Sequence, residues 1–237
     1  MYKNKTFLAI IPARGGSKGI PRKNVVDICG RPLIAWTISE AKKSKYLDRI
    51  ILSSDDREIC AVARKWGCEV PFMRPKKLSR DDTPGITPVF HAIQTIPDKY
   101  DYIVLLQPTS PLRIVDDIDN CIKHCLAGGY PACVSVAEAE STPYWMFLLN
   151  RKGEMKPLIK NLKGISRRQD FPKAYALNGA VYVAERKWLI RKKSFTAKGA
   201  SAYEMPPARS IDIDNYLDIL KMKFFLSLGE TARQYGG

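Results

Sequence analysis

The sequence predicts an α/β protein built on a mainly parallel β-sheet with helices on both faces. Strand-like and helix-like segments alternate over the first two thirds of the chain, a spacing typical of βαβ units. The 237 residues are enough for one sizeable core, and we expect residues 1–237 to form a single domain. Ligands of such sheets bind beyond the carboxyl ends of the strands, which directs attention to the loops there.

Hydrophobic pattern and breaking residues place the individual elements. Short apolar runs predict strands, and apolar residues three and four apart predict helices. The predicted strands are Phe7–Pro12, Arg49–Ser53, Glu69–Met73, Tyr102–Leu106, Ala132–Val136 and Ala180–Ala184. The predicted helices are Pro32–Lys43, Asp55–Trp66 with Ser54 or Asp55 as its cap, Thr87–Ile96, Asp116–Leu126 and Tyr216–Leu228.

Residues 138–178 interrupt this alternation. The segment holds Pro143, Pro157 and Pro172 together with many charged and aromatic residues. It predicts an insertion, either a β-hairpin arm or an oligomer contact, after which the chain returns to the sheet.

Composition limits the classes of function that the protein can have. The net charge of +15 predicts an anionic partner, such as a nucleic acid, an acidic membrane or a phosphorylated or carboxylated small molecule. The charge is spread along the chain without a basic, aromatic-rich repeat, so a non-catalytic nucleic-acid-binding protein is the weaker alternative. The first apolar run is too short for a signal peptide, and no stretch reaches the roughly 18 apolar residues of a membrane span.

The cysteines point to a reducing compartment. The six of them form no C-x-x-C pair, and the nearest approach to a metal cluster, Cys121, His124 and Cys125, has no motif that supplies a fourth ligand. We therefore expect free thiols in a cytoplasmic protein.

A basic, glycine-rich loop follows the first strand. Residues 13–24 read ARGGSKGIPRKN, in which three glycines allow the backbone to approach a ligand closely and four cations can neutralise anionic oxygens. A loop of this composition between a strand and a helix is suited to phosphate, although it fits neither the Walker A nor the G-x-G-x-x-G pattern. The alternative is a solvated basic turn.

Four stretches stand out in order along the chain: Ile11–Asn24, Gln107–Arg113, Arg167–Tyr182 and Ser210–Asp218. Together they resemble the cytidylyltransferases that activate nonulosonic acids, of which CMP-N-acetylneuraminate synthetase is the best-known member. The resemblance implies a Rossmann-like fold and a reaction in which CTP and a nine-carbon sugar acid give the CMP-sugar and pyrophosphate. It also implies a homodimer formed through an extension at 138–178, with no role for nucleic acid or membrane.

The resemblance favours N-acetylneuraminic acid as the sugar. The same reaction on legionaminic acid, pseudaminic acid or KDO is the alternative. The stretch Gln107–Arg113 lacks the metal-binding aspartate of the KDO enzymes, which argues against KDO.

The resemblance assigns roles to individual residues. Those implied to bind the nucleotide are Arg14, Gly15, Gly16, Ser17, Lys23, Asn24 and Arg74, and those implied to bind the sugar are Gln107, Ser110, Arg168, Gln169, Asn178 and Gly179. Lys23 and Asp214 are the implied catalytic residues, with Lys23 on the α-phosphate or the departing pyrophosphate. Arg168 is implied to reach the sugar carboxylate in the partner subunit, whereas Arg113 is expected to be structural.

Two aspartates near the last helix predict a metal site. Asp212 and Asp214 alternate with isoleucines, so in an extended chain both carboxylates lie on one face. Two carboxylates beside a triphosphate suit Mg²⁺ (or Mn²⁺), with phosphates and waters as the remaining ligands. Asp214 is also placed to be the N-cap of the last helix.

Overall fold

A six-stranded sheet forms the centre of the structure, a computed structural model that describes residues 2–17, 19–159 and 167–229. Its strands are β1 (Phe7–Pro12), β4 (Arg49–Ser53), β5 (Tyr102–Leu105), β6 (Ala132–Glu138), β9 (Tyr175–Glu185) and β10 (Ser201–Glu204). Two small hairpins pair β2 (Asp27–Ile28) with β3 (Arg31–Pro32) and β7 (Phe147–Leu149) with β8 (Met155–Pro157). The helices are α1 (Leu33–Lys43), α2 (Arg57–Lys65), α3 (Thr87–Thr95), α4 (Val115–Ala127), α5 (Arg186–Lys192) and α6 (Tyr216–Ser227).

The strand order places the loops of interest at one edge of the sheet. The order is β10-β6-β9-β5-β1-β4, in which β1 runs parallel to β4 and β5, and β6 runs parallel to β10. β9 runs antiparallel to both of its neighbours, β5 and β6. The mainly parallel sheet is therefore confirmed, and the start of β9 pairs with the carboxyl end of β6, at the same edge of the sheet as the carboxyl ends of β1 and β5.

Both faces of the sheet are covered, as expected for parallel strands. Along β1, Phe7, Ala9 and Ile11 belong to a core shared with α1, α2 and α4. The alternate residues Leu8 and Ile10 belong to a second core shared with α3 and α5. The alternation follows from the period of two in a strand.

A third, smaller cluster supports the region of the predicted site. It joins Ile20 of the loop after β1 and Ile213 of the chain before α6 to Ile219 and Met222 of α6, all of them buried. This cluster holds two segments together that lie almost 200 residues apart in the sequence.

Several predicted boundaries are wrong for local reasons. The predicted strand at Glu69–Met73 is reduced to one isolated bridge between Glu69 and Ile51. The N-cap of α2 is Asp56, whose carboxylate accepts the backbone N–H groups of Glu58 and Ile59. The N-cap of α6 is Asn215, not Asp214.

The segment 138–178 contains the hairpin of β7 and β8. Trp145, Phe147, Leu148, Leu149 and Met155, in and beside this hairpin, are all exposed. The role of this extension in a dimer stays a prediction. Among the described helices, none is long and apolar enough to cross a bilayer.

Candidate active site

A cleft of about 330 Å³ opens where β1 and β5 end. The predicted nucleotide residues Arg14, Gly16, Ser17, Lys23, Asn24 and Arg74 line it, together with Gln107 and the segment 78–85. Gly15 lies behind the cleft, where its N–H donates to Asp55 Oδ1 at 3.1 Å. The fold thus brings six of the predicted nucleotide residues together with Gln107, from the chain segments that follow β1, β4 and β5.

Asn24 and Arg22 shape the loop after β1. Asn24 is buried, and its Nδ2 donates to the carbonyl of Arg14 at 3.0 Å, which closes the loop on itself. Arg22 adopts a left-handed φ of 56° and its guanidinium pairs with Asp56 and Glu58. The hydrogen bond from Arg22 lowers the pKa of Asp56 below its usual value. Arg22 is therefore directed away from the cleft, toward α2.

Arg74 is buried at the cleft wall with only 4% of its surface exposed. Its Nε donates to Ser79 Oγ at 2.8 Å, and its NH2 lies 3.6 Å from Asp55 Oδ1. Burial lowers the pKa of Arg74, and the Asp55 carboxylate offsets this. A guanidinium nonetheless stays charged in a protein, so Arg74 is a fixed cation in the cleft.

Lys23 joins the basic loop to the segment that carries the two aspartates. Its Nζ donates to the carbonyl of Ile213 at 2.7 Å and to Asp214 Oδ1 at 3.0 Å. The Lys23 side chain is 14% exposed, whereas that of Asp214 is 74% exposed. The implied catalytic pair is thus in direct contact, with the carboxylate open to solvent.

Asp212 and Asp214 lie on the side of the chain that faces away from the third cluster, because Ile213 between them is buried in it. Burial of the Asp212 carboxyl raises its pKa above the usual value. The hydrogen bond with the Thr109 side chain lowers this pKa, and the nearby Asp214 carboxylate raises it. Two carboxylates that repel one another gain from a shared cation, and oxygen donors of this kind suit Mg²⁺. The donor set fits the predicted metal site.

Two predicted sugar residues are in contact: Ser110, in the loop after β5, and Asn178, in the first half of β9. Ser110 Oγ donates to the carbonyl of Asn178 at 3.0 Å. The Asn178 carboxamide accepts from Ser135 Oγ at 2.6 Å and donates to Ser210 Oγ at 2.9 Å, so its polar atoms are already bonded within the protein. Gly179 has a left-handed φ of 72°, and a Cβ there would lie 2.8 Å from Gln107 Oε1. These contacts give Ser110 and Asn178 a supporting position beside Gln107.

The other two predicted sugar residues lie in the extension. The side chain of Arg168 falls outside the described residues. Gln169 is exposed and lies beside Phe171 and Lys173, away from the cleft. The contact of Arg168 with the sugar in the partner subunit and the sugar contact of Gln169 stay predictions.

Arg113 is structural in its contacts. It is buried, and its guanidinium donates to the carbonyls of Ala180 and Gln107 and to the Thr37 hydroxyl. Burial lowers the pKa of Arg113 to about 9. Its bonds tie α1, β9 and the end of β5 together behind the cleft.

Sequence reasoning missed a second cavity, of about 560 Å³, beside Asp212. Its walls include Leu177, Asn178, Ala208, Ile211 and Phe225, from β9, the segment before α6 and α6 itself. Sequence reasoning also missed the buried pair of Arg209 and Asp117, which anchors that segment to α4. No local signal marks either feature, because both depend on contacts between distant parts of the chain.

Comparisons with known proteins identify the family. Residues 8–175 match the cytidylyltransferase family. A pseudaminic acid cytidylyltransferase of Campylobacter jejuni is 35% identical over 90% of this chain and 92% of the relative. The CMP-N,N'-diacetyllegionaminic acid synthase of Legionella pneumophila is 33% identical over 95% of this chain and 98% of the relative. An N-acylneuraminate cytidylyltransferase of Streptococcus agalactiae is 34% identical over 90% of this chain but only 51% of the relative.

The solved structures confirm the Rossmann-like fold. A CMP:2-keto-3-deoxy-manno-octonic acid synthetase, solved with CTP, superposes with a TM-score of 0.69 at 14% identity, over 94% of this chain and 99% of the other. At that identity the likeness carries the fold alone. The family match and the sequence relatives show that the chain belongs to the cytidylyltransferase family, in the group of nonulosonic acid enzymes.

Proposed function

We propose that this protein transfers the CMP group of CTP to the anomeric hydroxyl of a nonulosonic acid and releases pyrophosphate. The observation that carries this proposal is the contact between Lys23, which lines the cleft, and Asp214. It joins a cation of the basic loop to the segment that carries the two aspartates, and this supports a reaction between a triphosphate bound to the loop and a second substrate.

The cleft supports CTP as one substrate. Arg14, Lys23 and Arg74 supply cations to its lining, and Gly16 and Ser17 of the loop after β1 line it as well, a composition suited to phosphate oxygens. Leu78, Pro84 and Pro88 also line the cleft, and apolar walls of this kind suit a nucleobase.

Lys23 is the proposed electrostatic catalyst. Among the described residues its ammonium meets two acceptors, which leaves a third N–H for a phosphate oxygen. In the transition state, charge spreads over the α-phosphate and the departing pyrophosphate, and a fixed cation beside them lowers the barrier. The chemistry asked of the protein is therefore positioning and charge stabilisation.

We propose Asp212 and Asp214 as holders of Mg²⁺ (or Mn²⁺). The described residues contain no group of three or more His, Cys, Asp or Glu side chains arranged to hold a metal, so the triphosphate and water would complete the coordination shell. A bound divalent ion neutralises phosphate charge and lowers the pKa of a coordinated hydroxyl.

The second cavity supports a sugar acid with acylamino groups. Polar and charged side chains line part of it, namely Glu138, Glu140, Asn178, Ser210, Asp212, Asp218 and Lys221, and Leu177, Ala208, Ile211 and Phe225 give it apolar walls. Such walls suit the methyl groups of two acetamido substituents better than a chain of hydroxyls. We therefore favour the pseudaminic and legionaminic acids as substrates.

N-acetylneuraminic acid is the second candidate, because relatives with N-acylneuraminate specificity are 34% identical to this chain. The homodimer stays a proposal, supported by the exposed apolar side chains of the extension. The use of CTP, a cytoplasmic nucleotide, supports the expected location.

Pyrophosphate release tests the proposal. The protein is mixed with CTP and Mg²⁺ and, in separate reactions, with pseudaminic, legionaminic and N-acetylneuraminic acids and KDO. We expect the highest kcat/KM with a diacylated acid. Folded protein that releases no pyrophosphate with any of the four refutes the function, and preference for N-acetylneuraminic acid refutes the reasoning from the apolar walls.

A further inference from the structure

We infer that Gly19 is a positioning residue for the reaction, because its lack of a side chain sets the distance between the basic loop and the segment that carries Asp214. The inference rests on the proposed function of Lys23 and Asp214. Gly19 touches neither substrate in this scheme and acts through those two residues.

The contact at Gly19 is one that only glycine permits. A Cβ on Gly19 would lie 2.2 Å from the backbone carbonyl oxygen of Asp214. The obstacle is backbone, which cannot rotate aside as a side chain would. This close approach is by itself enough to require a glycine at position 19. In the same loop, a Cβ on Gly16 would meet nothing within 4 Å.

The segment on the other side of the contact is held on several sides. Lys23 Nζ donates to the carbonyl of Ile213 at 2.7 Å, and Ile213 N donates to the carbonyl of Thr109 at 2.7 Å. Asp214 N donates to Asp218 Oδ2 at 3.0 Å, which ties it to α6. Ile213 is also buried in the third cluster with Ile20, the neighbour of Gly19. The loop and the segment therefore keep one fixed separation.

A methyl group at position 19 would change that separation. Relief of the 2.2 Å contact requires the two backbones to part by about 1 Å. Such a shift stretches the hydrogen bonds of Lys23 beyond their normal range and moves Asp214 relative to the triphosphate. Displacements of this size in reacting groups lower rates by as much as about 100-fold.

The test compares Gly19→Ala with the wild type for activity and with Gly16→Ala for labelling of Lys23 only. For Gly19→Ala we expect kcat to fall by about 10- to 100-fold while KM for CTP stays within about threefold, because Arg14 and Arg74 keep their places. The second readout needs no activity: the rate at which an amine-reactive reagent acylates Lys23, followed by mass spectrometry of the free protein. This rate should rise several-fold in Gly19→Ala and stay at the wild-type value in Gly16→Ala.

Ile20→Val controls for simple loosening of the loop. It removes one buried methyl group beneath the loop and should lower stability by thermal melting, with Lys23 labelled at the wild-type rate.

Wild-type kcat and wild-type Lys23 labelling in Gly19→Ala would overturn the inference. So would a Gly19→Ala protein that does not fold, since the contact would then serve the fold and not the site. A wild-type protein without transferase activity would refute the proposed function instead, and the labelling rates would still decide whether Gly19 sets the position of Lys23.

Discussion

Replacement of Arg209 by Ala should destabilise the protein strongly and loosen the segment that carries the two aspartates. Arg209 Nε and NH2 donate to the two carboxylate oxygens of Asp117, both at 3.0 Å. Asp117 is fully buried, and it also accepts the N–H of Ile114 at 3.0 Å at the start of α4. Without Arg209, the carboxylate loses both guanidinium donors while it stays in the interior.

The expected loss of folding free energy is large compared with the total stability of a protein domain. Removal of one partner from a buried ion pair costs about 3–5 kcal/mol, because the remaining charge is left uncompensated. Total stabilities of domains are about 5–15 kcal/mol. At about 2–4 °C per kcal/mol for a chain of this size, Tm should fall by roughly 6–20 °C. Activity should fall as well, since Asp212 follows Arg209 by three residues.

Urea unfolding followed by circular dichroism measures the effect as a shift of the midpoint at constant m. The control is Lys173→Ala, which breaks a pair with Glu138 whose side chains are 67% and 44% exposed and should leave the urea midpoint close to the wild-type value. A double variant, Asp117→Leu with Arg209→Met, should recover much of the loss. An Arg209→Ala protein within about 1 kcal/mol of wild type would refute the reasoning.

Three further substitutions probe the site and its supports. Lys23→Met should lower kcat for pyrophosphate release by about 100- to 1,000-fold with little change in Tm, and a smaller effect on kcat than on KM would contradict its proposed role. Gly179→Ala should cost about 1–3 kcal/mol in urea unfolding, because its φ of 72° and its contact with Gln107 exclude a side chain, and wild-type stability would count against that strain. Asp56→Ala should cost about 1 kcal/mol at neutral pH through loss of the α2 cap. Because Arg22 holds the pKa of Asp56 below its usual value, this contribution is present above about pH 4 and is lost as the pH falls through the folded-state pKa, so the two proteins should converge in stability in acid.

The parallel part of the sheet could be predicted because its signals are local. β1 and β4 have the predicted boundaries, since each is an apolar run closed by a proline or by polar residues. β9 begins five residues earlier than predicted and runs antiparallel, and strand direction depends on pairing that a single segment does not reveal. The predicted strand at Glu69–Met73 failed because only Glu69 finds a partner in the sheet.

The candidate site likewise has a part that local patterns predict and a part that depends on contacts between distant residues. Arg14, Lys23, Asp212 and Asp214 could be named in advance because the loop and the alternating aspartates are short, recognisable patterns. The contact of Gly19 with the backbone of Asp214 could not, since it joins residues almost 200 positions apart and leaves no trace in the residue types around it. The sequence does not reveal that the Asn178 carboxamide bonds to Ser135 of β6 and to Ser210 of the segment before α6, because both contacts join distant parts of the chain.

The reversed direction of β9 has a consequence for how this chain can vary. Because β9 returns antiparallel to β6, the excursion between them leaves and re-enters the sheet at one point, where Ala139 N donates to the carbonyl of Ala174 at 2.8 Å. A loop whose ends are already clasped adds closure entropy only with the logarithm of its length. The extension can therefore be lengthened, shortened or exchanged at little thermodynamic cost to the sheet. The surface that the extension contacts can therefore diversify while the edge of the sheet that carries the cleft stays the same.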